Sequence, residues 1–146
     1  MRNILFRLSM SLFVVGTIAL FSSCQDQVEQ VAGTYSYKIS GSVIVSEDTV
    51  SLVDEMGAME LIRKDSTSAV VTFNALNGPA YTAEAEIHGN QIRLQAYQRR
   101  MTIRAKEYTI TGSGNGTIYS NTIIIALQYR ADDVSTNQLT LLCKKD

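Results

Sequence analysis

The sequence predicts an all-β fold: an antiparallel up-and-down meander that closes into a barrel of about eight strands, with a β-sandwich as the alternative. From residue 33 onward, apolar and polar side chains alternate with a period of two in one segment after another. Turn-forming residues separate these segments, and the single proline of the chain suits uninterrupted strands. Because each segment has one apolar face, we expect one face of the sheet on a core and the other in water.

The predicted strands follow one another with mostly short connections, which is the pattern of a meander. The clearest alternation occurs in residues 34–39, 69–75, 81–88, 92–97 and 122–129. Further strands are predicted over residues 58–64, 101–104, 107–113, 117–119 and 138–144. Turn-forming residues predict breaks at Asn77–Pro79, Gly112–Gly116, Ser120–Asn121 and Ala131–Asn137. No helix longer than a turn or two is expected after the first 23 residues, and residues 47–56 stay unassigned.

The hairpin around Gly89–Asn90 is the best-defined local element. These two residues separate two alternating segments, and glycine followed by asparagine favours a primed turn with positive φ. A two-residue loop fixes the register of the strands. Ile87 is therefore predicted opposite Ile92 on the core face, and Glu86 opposite Arg93 on the polar face.

Small and aromatic side chains share the predicted inward face of the barrel. Alanines are predicted to point inward at positions 69, 75, 83, 85 and 96. Small inward residues either leave a cavity or make room for large partners, and both interpretations remain open. Tyrosines offer an apolar face and a hydroxyl to a ligand. The predicted wall of a ligand cavity consists of Tyr35, Tyr37, Phe73, Tyr81, Ala83 and Tyr129.

The first 23 residues have the layout of a secretory signal. Arg2 and Arg7 precede the apolar segment Leu8–Phe21, and small residues follow it just before Cys24. The apolar segment is shorter than the roughly 20 residues that span a bilayer. We therefore predict a signal peptide over residues 1–23, a tether over residues 24–31 and a barrel domain over residues 32–146. A retained anchor helix and a plain secretory signal are the alternatives.

The segment Leu20–Cys24 resembles the lipobox of bacterial lipoproteins, in which the cysteine at the cleavage point carries the lipid. The resemblance implies that Cys24 is lipidated with palmitate-type chains and anchors the protein to the cell envelope. Gln25 follows the cysteine where an aspartate would favour inner-membrane retention, which implies the outer membrane. Which side of that membrane the protein faces stays undetermined.

The chain also resembles lipocalin-like, or calycin-like, barrels over roughly residues 30–144. Val31–Tyr35 is similar to the Gly-x-Trp start of the first calycin strand, with Tyr35 in place of the tryptophan. Tyr108–Gly114, followed by residues 116–118 and 121–123, is similar to small lipocalin-like lipoproteins of Gram-negative bacteria. The resemblance implies a basic residue packed over the first-strand aromatic ring, and the candidates are Arg130, Lys144 and Lys145.

Charge and cysteine content narrow the classes of partner and fold. Without residues 1–23, the chain keeps 11 basic and 14 acidic side chains, a net charge of −3. A weakly acidic domain without a basic stripe is a poor nucleic-acid binder, so no nucleic-acid partner is expected. If Cys24 is lipidated, Cys143 has no disulfide partner, and we expect it to be a small buried apolar residue.

Composition also argues against an enzyme. The only histidine, His88, lies on a polar strand face beside a turn. Glu84 and Glu86 share a strand face, but a solvated face explains them, and Arg99–Arg100 is interpreted as a solvated loop doublet. No His or Cys spacing suggests zinc. We therefore expect no catalytic residue, no metal and no cofactor.

Two functions remain. The first is an outer-membrane-anchored lipoprotein whose barrel binds a small apolar or amphipathic ligand. The second is a non-enzymatic structural, interaction or inhibitor module that contacts a protein partner in a cell-envelope complex. An enclosed cavity would favour the first function, and a filled interior would favour the second.

Overall fold

A computed structural model of the chain describes residues 26–146. The predicted signal peptide and the predicted lipidation site, Cys24, lie outside the described residues. Within residues 26–146, no helix is both long and apolar enough to cross a bilayer.

One short helix precedes nine strands in the described chain. The helix α1 is Gln27–Val31. The strands are β1 (Gly33–Val45), β2 (Asp48–Ser51), β3 (Glu55–Arg63), β4 (Ser68–Ala75), β5 (Tyr81–His88), β6 (Gln91–Ile103), β7 (Lys106–Tyr119), β8 (Thr122–Arg130) and β9 (Val134–Lys145).

Eight of the strands form a closed antiparallel barrel. From β3 to β9 each strand pairs with the next, and β1 pairs with β3 on one side. On its other side β1 pairs with β9, from Tyr35 opposite Lys145 to Val45 opposite Val134, and this pairing closes the ring. The short strand β2 pairs only with the end of β1 and stays outside the ring. The structure confirms the predicted meander barrel and excludes the sandwich.

Alternate side chains of every barrel strand point inward and form one core. Phe73, Ile110, Ile125 and Leu141 are almost completely buried. Burial of each large apolar side chain stabilises the fold by about 1.5–3 kcal/mol. The period of two in the sequence therefore corresponds to the two faces of the barrel wall.

The hairpin at Gly89–Asn90 has the predicted register. Ile87 lies opposite Ile92 and Glu86 opposite Arg93, and both isoleucines are buried. Gly89 has a φ of 63°, which the primed turn requires. The Glu86 carboxylate accepts a hydrogen bond from Gln95 Nε2 at 2.6 Å.

The predicted break at Gly112–Gly116 is wrong, because these residues lie inside the continuous strand β7. Three of the five residues, Gly112, Gly114 and Gly116, are glycines at positions where neighbouring groups approach the backbone closely. A Cβ atom at Gly112 would lie 2.5 Å from the Tyr97 ring, and one at Gly116 would lie 2.1 Å from the carbonyl oxygen of Ile124. Close packing against the strand, and not a turn, accounts for the glycine-rich segment.

The predicted inward position of Ala96 is also wrong. The pairing of β6 with β7 shifts between Leu94 and Tyr97, which marks a β-bulge. The bulge inserts a residue, so the alternation changes phase. Ala96 is exposed, whereas Tyr97 is buried.

The remaining turns agree with the sequence in part. Loops occur as predicted at Asn77–Pro79 and Ser120–Asn121. The break predicted over Ala131–Asn137 is shorter, because β9 already begins at the buried Val134. Two further turns, at Ser46–Glu47 and Arg104–Ala105, use non-glycine residues with positive φ. Of these four residues only Ser46 is a common turn residue, and none is a glycine or asparagine, so the sequence gives little indication of positive φ here.

The helix α1 covers the lower end of the barrel, defined here as the end where β1 begins. Val28 is fully buried, and the Val31 carbonyl accepts a hydrogen bond from the Tyr35 hydroxyl at 2.5 Å. Asp26 caps the helix and pairs with Arg63 at 2.6 Å. Lys145 lies over the Tyr35 ring with its Nζ 5.8 Å from the ring centre. Of the three basic candidates for this position, Lys145 occupies it.

The tips of the β1–β2, β6–β7 and β8–β9 hairpins meet at the upper end, opposite α1. Arg104 of the β6–β7 turn pairs with Asp48 at the start of β2, at 3.0 Å. Asp133 of the β8–β9 turn accepts a hydrogen bond from Ser46 Oγ at 3.0 Å and lies 3.8 Å from Lys106 Nζ. These contacts join one side of the upper end, away from the loop between β4 and β5.

Candidate functional site

A cavity of about 540 Å³ lies at the upper end of the barrel. Its walls come from the β2–β3 connection, the β4–β5 loop and the upper parts of β6 and β7. The β4–β5 hairpin ends at Ala75 and Tyr81, well below the tips of the neighbouring β6–β7 hairpin. The cavity therefore opens to solvent on the side where the barrel wall is lowest.

The rim of this cavity is apolar and exposed. The exposed fractions of Val53, Met56 and Leu76 are 94%, 52% and 73%. Six large apolar side chains are exposed within residues 26–146, and these three border one cavity. Single exposed apolar residues are ordinary, whereas a cluster around a concavity is typical of a binding site.

The floor of the cavity is an ion pair between Glu55 and Arg99. Arg99 Nη2 lies 2.5 Å from Glu55 Oε2. The Glu55 side chain is only 19% exposed, and the Arg99 side chain only 9%. Glu55 is the first residue of β3, and Arg99 lies on β6 beyond the bulge, which turns this position inward.

Three tyrosine hydroxyls form further hydrogen bonds with the pair. Tyr37 and Tyr81 donate to Glu55 Oε1 at 2.9 and 2.7 Å. Arg99 Nη1 donates to the hydroxyls of Tyr81 and Tyr129 at 2.8 and 3.3 Å. The guanidinium also lies 4.1 Å over the Tyr81 ring, a cation–π contact. Five side chains from five strands thus form one polar network.

The network keeps the pair charged. Burial alone would raise the pKa of Glu55, but the hydrogen bonds from Arg99 and Tyr81 outweigh it, and the net pKa is lowered. Burial raises the pKa of Tyr81, and the carboxylate of Glu55 raises it further, so the hydroxyl stays protonated. Among residues 26–146 there is no group of three His, Cys, Asp or Glu side chains placed to hold a metal ion.

Aromatic rings fill the barrel below this floor. Phe73 stacks on Tyr81 with ring centres 4.8 Å apart and meets Tyr37 edge-on at 5.2 Å. Tyr97 stacks on Tyr81 at 5.7 Å. These rings occupy the middle of the barrel, so the described cavity lies above the aromatic cluster and not within it.

The residues predicted as a cavity wall lie in three places. Tyr37, Phe73, Tyr81 and Tyr129 come together at or just below the ion pair. Ala83 is buried opposite Val71, deeper in the barrel. Tyr35 lies at the lower end against α1. That these residues contact a ligand stays a prediction.

Sequence patterns missed Glu55 and Arg99. Glu55 falls in the unassigned segment, and the interpretation of Arg99–Arg100 as a solvated doublet is wrong for Arg99, whose side chain is only 9% exposed. The bulge before Tyr97 reverses the alternation, so Arg99 points inward. The alternation of Tyr97, Arg99, Met101 and Ile103 was the only available signal.

Comparisons with known proteins show the fold. No protein-family model matches the chain, and no curated protein sequence matches it. Two solved structures are similar: EF1p2_mFAP2b bound to DFHBI, and the redesigned β-barrel mFAP1 bound to DFHBI. Each has a TM-score of 0.53 and 9% sequence identity over 83% of this chain, and the matches cover 98% and 100% of those chains. At this identity the likeness shows an antiparallel β-barrel and nothing about function.

Proposed function

We propose that the protein is a lipid-anchored barrel of the outer membrane that binds a small amphipathic ligand in the upper cavity and catalyses no reaction. The order of signal segment, small residues and Cys24 supports the anchor. The observation that carries the binding role is the exposed apolar rim above a buried polar floor. An amphipathic molecule matches both surfaces, because its apolar part would cover the rim.

The similar solved structures support this proposal at the level of the fold. Both are bound to the small organic molecule DFHBI. A barrel of this general architecture is therefore compatible with a small ligand. The residues around any ligand here are this chain's own, because sequence identity is only 9%.

Titration with Nile red, a neutral apolar dye that fluoresces in apolar surroundings, tests the binding role. We expect the wild-type domain to bind the dye and Leu76→Asp to weaken binding at least about tenfold, since the charge replaces apolar contact area on the rim. Ile62→Asp is the matched control. Ile62 is also exposed, at 51%, but lies near the lower end of β3.

Equal dye binding by the Leu76 and Ile62 variants would place the dye elsewhere on the protein. If the wild type binds no dye, the ligand-binding role is refuted and the alternative, a structural or interaction module, becomes the proposed function. The filled aromatic interior favours that second function, a structural or interaction module of the cell envelope. Val53, Met56 and Leu76 would then form the surface that contacts a partner protein.

A further inference from the structure

The upper half of β6 has a strand partner on one side only. On that side β6 pairs with β7 as far as Ile103, opposite Lys106. On the other side its pairing with β5 stops at Leu94, opposite Ala85. From the bulge to Ile103, therefore, no strand within residues 26–146 pairs with this edge of β6. An unpaired strand edge is a template for pairing with another chain.

The two-residue turn at Arg104–Ala105 determines which backbone groups of β6 are left unpaired. Both turn residues have positive φ, 50° and 63°, as in a primed turn, and such a turn is closed by a hydrogen-bonded pair that here contains Ile103. Because the direction of hydrogen bonding alternates along an antiparallel strand, Gln98, Arg100 and Thr102 direct their N–H and C=O groups away from β7. All three residues are exposed.

Open space borders this edge along its length. The upper cavity, of about 540 Å³, and a second cavity, of about 410 Å³, both have Pro79, Arg99 and Arg100 in their walls. Together the two walls include every β6 residue from Gln98 to Thr102. The β4–β5 loop forms the other side of both cavities, and Pro79 in that loop has no N–H to offer a neighbouring strand. A further strand can therefore approach β6 here.

Side chains on the two faces of the sheet define the kind of strand that fits. The outward face of the unpaired stretch carries a single charge, that of Arg100, whose side chain is 78% exposed. Its ion pair with Glu107 is long, at 3.8 Å, and lies on the β7 side. The inward face borders the apolar rim formed by Val53, Met56 and Leu76. An acidic side chain opposite Arg100, with apolar side chains at the flanking positions, would match both faces.

A second copy of this chain fits the edge poorly. Antiparallel pairing of two copies along residues 98–102 would bring the two Arg100 side chains face to face at the centre of the pair. Like charges directly opposite each other destabilise a strand pair. A segment with an acidic residue at that position is therefore favoured over self-association.

We propose that the unpaired edge of β6 binds an extended segment of a partner protein, in which acidic and apolar residues alternate, as an additional strand. An acidic residue of the segment lies opposite Arg100 and exchanges backbone hydrogen bonds with it, and the flanking apolar side chains cover the rim of the upper cavity. This partner is distinct from the proposed small ligand, and its binding does not depend on that ligand, because the strand edge is present without it. The two would compete for the rim.

Synthetic nine-residue peptides in which valine alternates with glutamate test strand addition, with fluorescence anisotropy of a labelled peptide as the measurement. N-methylation of the glutamate amides removes the donors that face β6, and we expect it to weaken binding to the wild-type protein at least about tenfold. N-methylation of the valine amides is the matched control. Those N–H groups face away from β6, so binding should persist.

Reversal of the charge at position 100 tests the chemistry of the partner. We expect the wild type to bind the glutamate peptide at least about threefold more tightly than a peptide with lysine in place of glutamate. Arg100→Glu should reverse this preference. The control is Arg130→Glu, which makes the same change of net charge at another exposed arginine, on β8, and should leave the preference as it is.

Amide hydrogen exchange in the wild type gives a readout that a contact between side chains alone would not change. Binding of the glutamate peptide should slow exchange at Gln98, Arg100 and Thr102 at least about tenfold, because their N–H groups become hydrogen-bonded. Exchange at the exposed Thr49 should not change, because β2 also pairs on one side only but lies outside the proposed site. This measurement needs no variant to fold.

Each other outcome points to a different failure. Equal effects of the two patterns of N-methylation, or unchanged exchange at the three β6 amides, overturn strand addition. A preference that Arg100→Glu does not reverse overturns the assignment of an acidic partner. Slow exchange at the same amides in concentrated protein without peptide would place a second copy at the edge and overturns the proposal as well. If no peptide binds, the edge has no such partner, whereas titration with Nile red still decides the ligand-binding function.

Discussion

At the scale of single residues, we expect substitution of Glu55 to have the largest electrostatic effect on the free energy of unfolding. Its carboxylate is mostly buried and holds the guanidinium of Arg99. Removal of one member of a buried pair leaves the other charge uncompensated, which typically costs about 3 kcal/mol or more. We expect Glu55→Gln to lower the free energy of unfolding at pH 7 by about that amount, as measured by urea denaturation.

The matched control is Glu84→Gln. Glu84 pairs with Lys64 at 2.9 Å, but both side chains are about half exposed. Solvent screens such a pair, so its loss should change stability little. If the Glu55 and Glu84 variants are equally stable, the Glu55–Arg99 pair does not stabilise the fold as inferred.

The pH dependence follows from the direction of the Glu55 shift. Its pKa in the folded state lies below the ordinary value of 4.5. A lowered carboxyl pKa stabilises the fold at pH values above the unfolded pKa, and this contribution is lost as the pH falls through the folded pKa. The difference in unfolding free energy between wild type and Glu55→Gln should therefore shrink below about pH 4.5. A constant difference from pH 7 to pH 3 would contradict the assigned shift.

At the scale of elements, the glycines of β7 are required for packing. A Cβ atom at Gly116 would lie 2.1 Å from the carbonyl oxygen of Ile124, a backbone atom of the paired strand that cannot rotate away. We expect Gly116→Ala to lower stability by about 1–3 kcal/mol through overpacking. Gly78→Ala is the control, because the nearest atom to its Cβ would be 3.9 Å away. Thermal midpoints of the two variants measure the difference, and equal midpoints would refute the packing argument.

The strands of this barrel could be predicted wherever apolar and polar side chains alternate and turn-forming residues mark the ends of the alternating segment. Residues 81–97 illustrate both success and failure. The hairpin at Gly89–Asn90 has a local turn signal and matching faces, so its register could be derived. The bulge at the end of the same segment has no local signal, because it arises from pairing with β7.

The candidate site was less predictable than the fold because one of its residues, Arg99, depends on the same β-bulge. Tyr37, Phe73, Tyr81 and Tyr129 follow the regular alternation, and their inward positions could be derived. Arg99 points inward only because the bulge precedes it, and it is tolerated there only because Glu55 is opposite. The ion pair between Glu55 of β3 and Arg99 of β6 forms across the barrel, between strands that are not neighbours. Hydrophobic periodicity within one strand carries no information about such a contact.

At the scale of the whole molecule, attachment to the membrane is proposed to depend on Cys24. We expect Cys24→Ser to release the protein from the membrane fraction or to leave it as an unprocessed precursor, because serine offers no thiol for the lipid. Fractionation and labelling with palmitate provide the measurement, with Cys143→Ser as the control. Cys143 is buried inside the barrel, and burial raises the pKa of its thiol to about 12. A Cys24→Ser protein that is processed, labelled and membrane-bound like the wild type would refute the proposed anchor.

The ring closure between β1 and β9 has a consequence for how the protein folds. These are the first and last strands of the barrel, so Tyr35 and Lys145 must meet across the whole domain. Contacts so distant along the chain form slowly, because the entropy of a long loop is lost before the pairing compensates for it. Until β9 docks, the edge of β1 and the edge of β8 both expose unpaired backbone groups to other chains. The period before closure is therefore when this protein is most exposed to aggregation, because in the closed barrel every strand of the ring pairs with a neighbour on both sides.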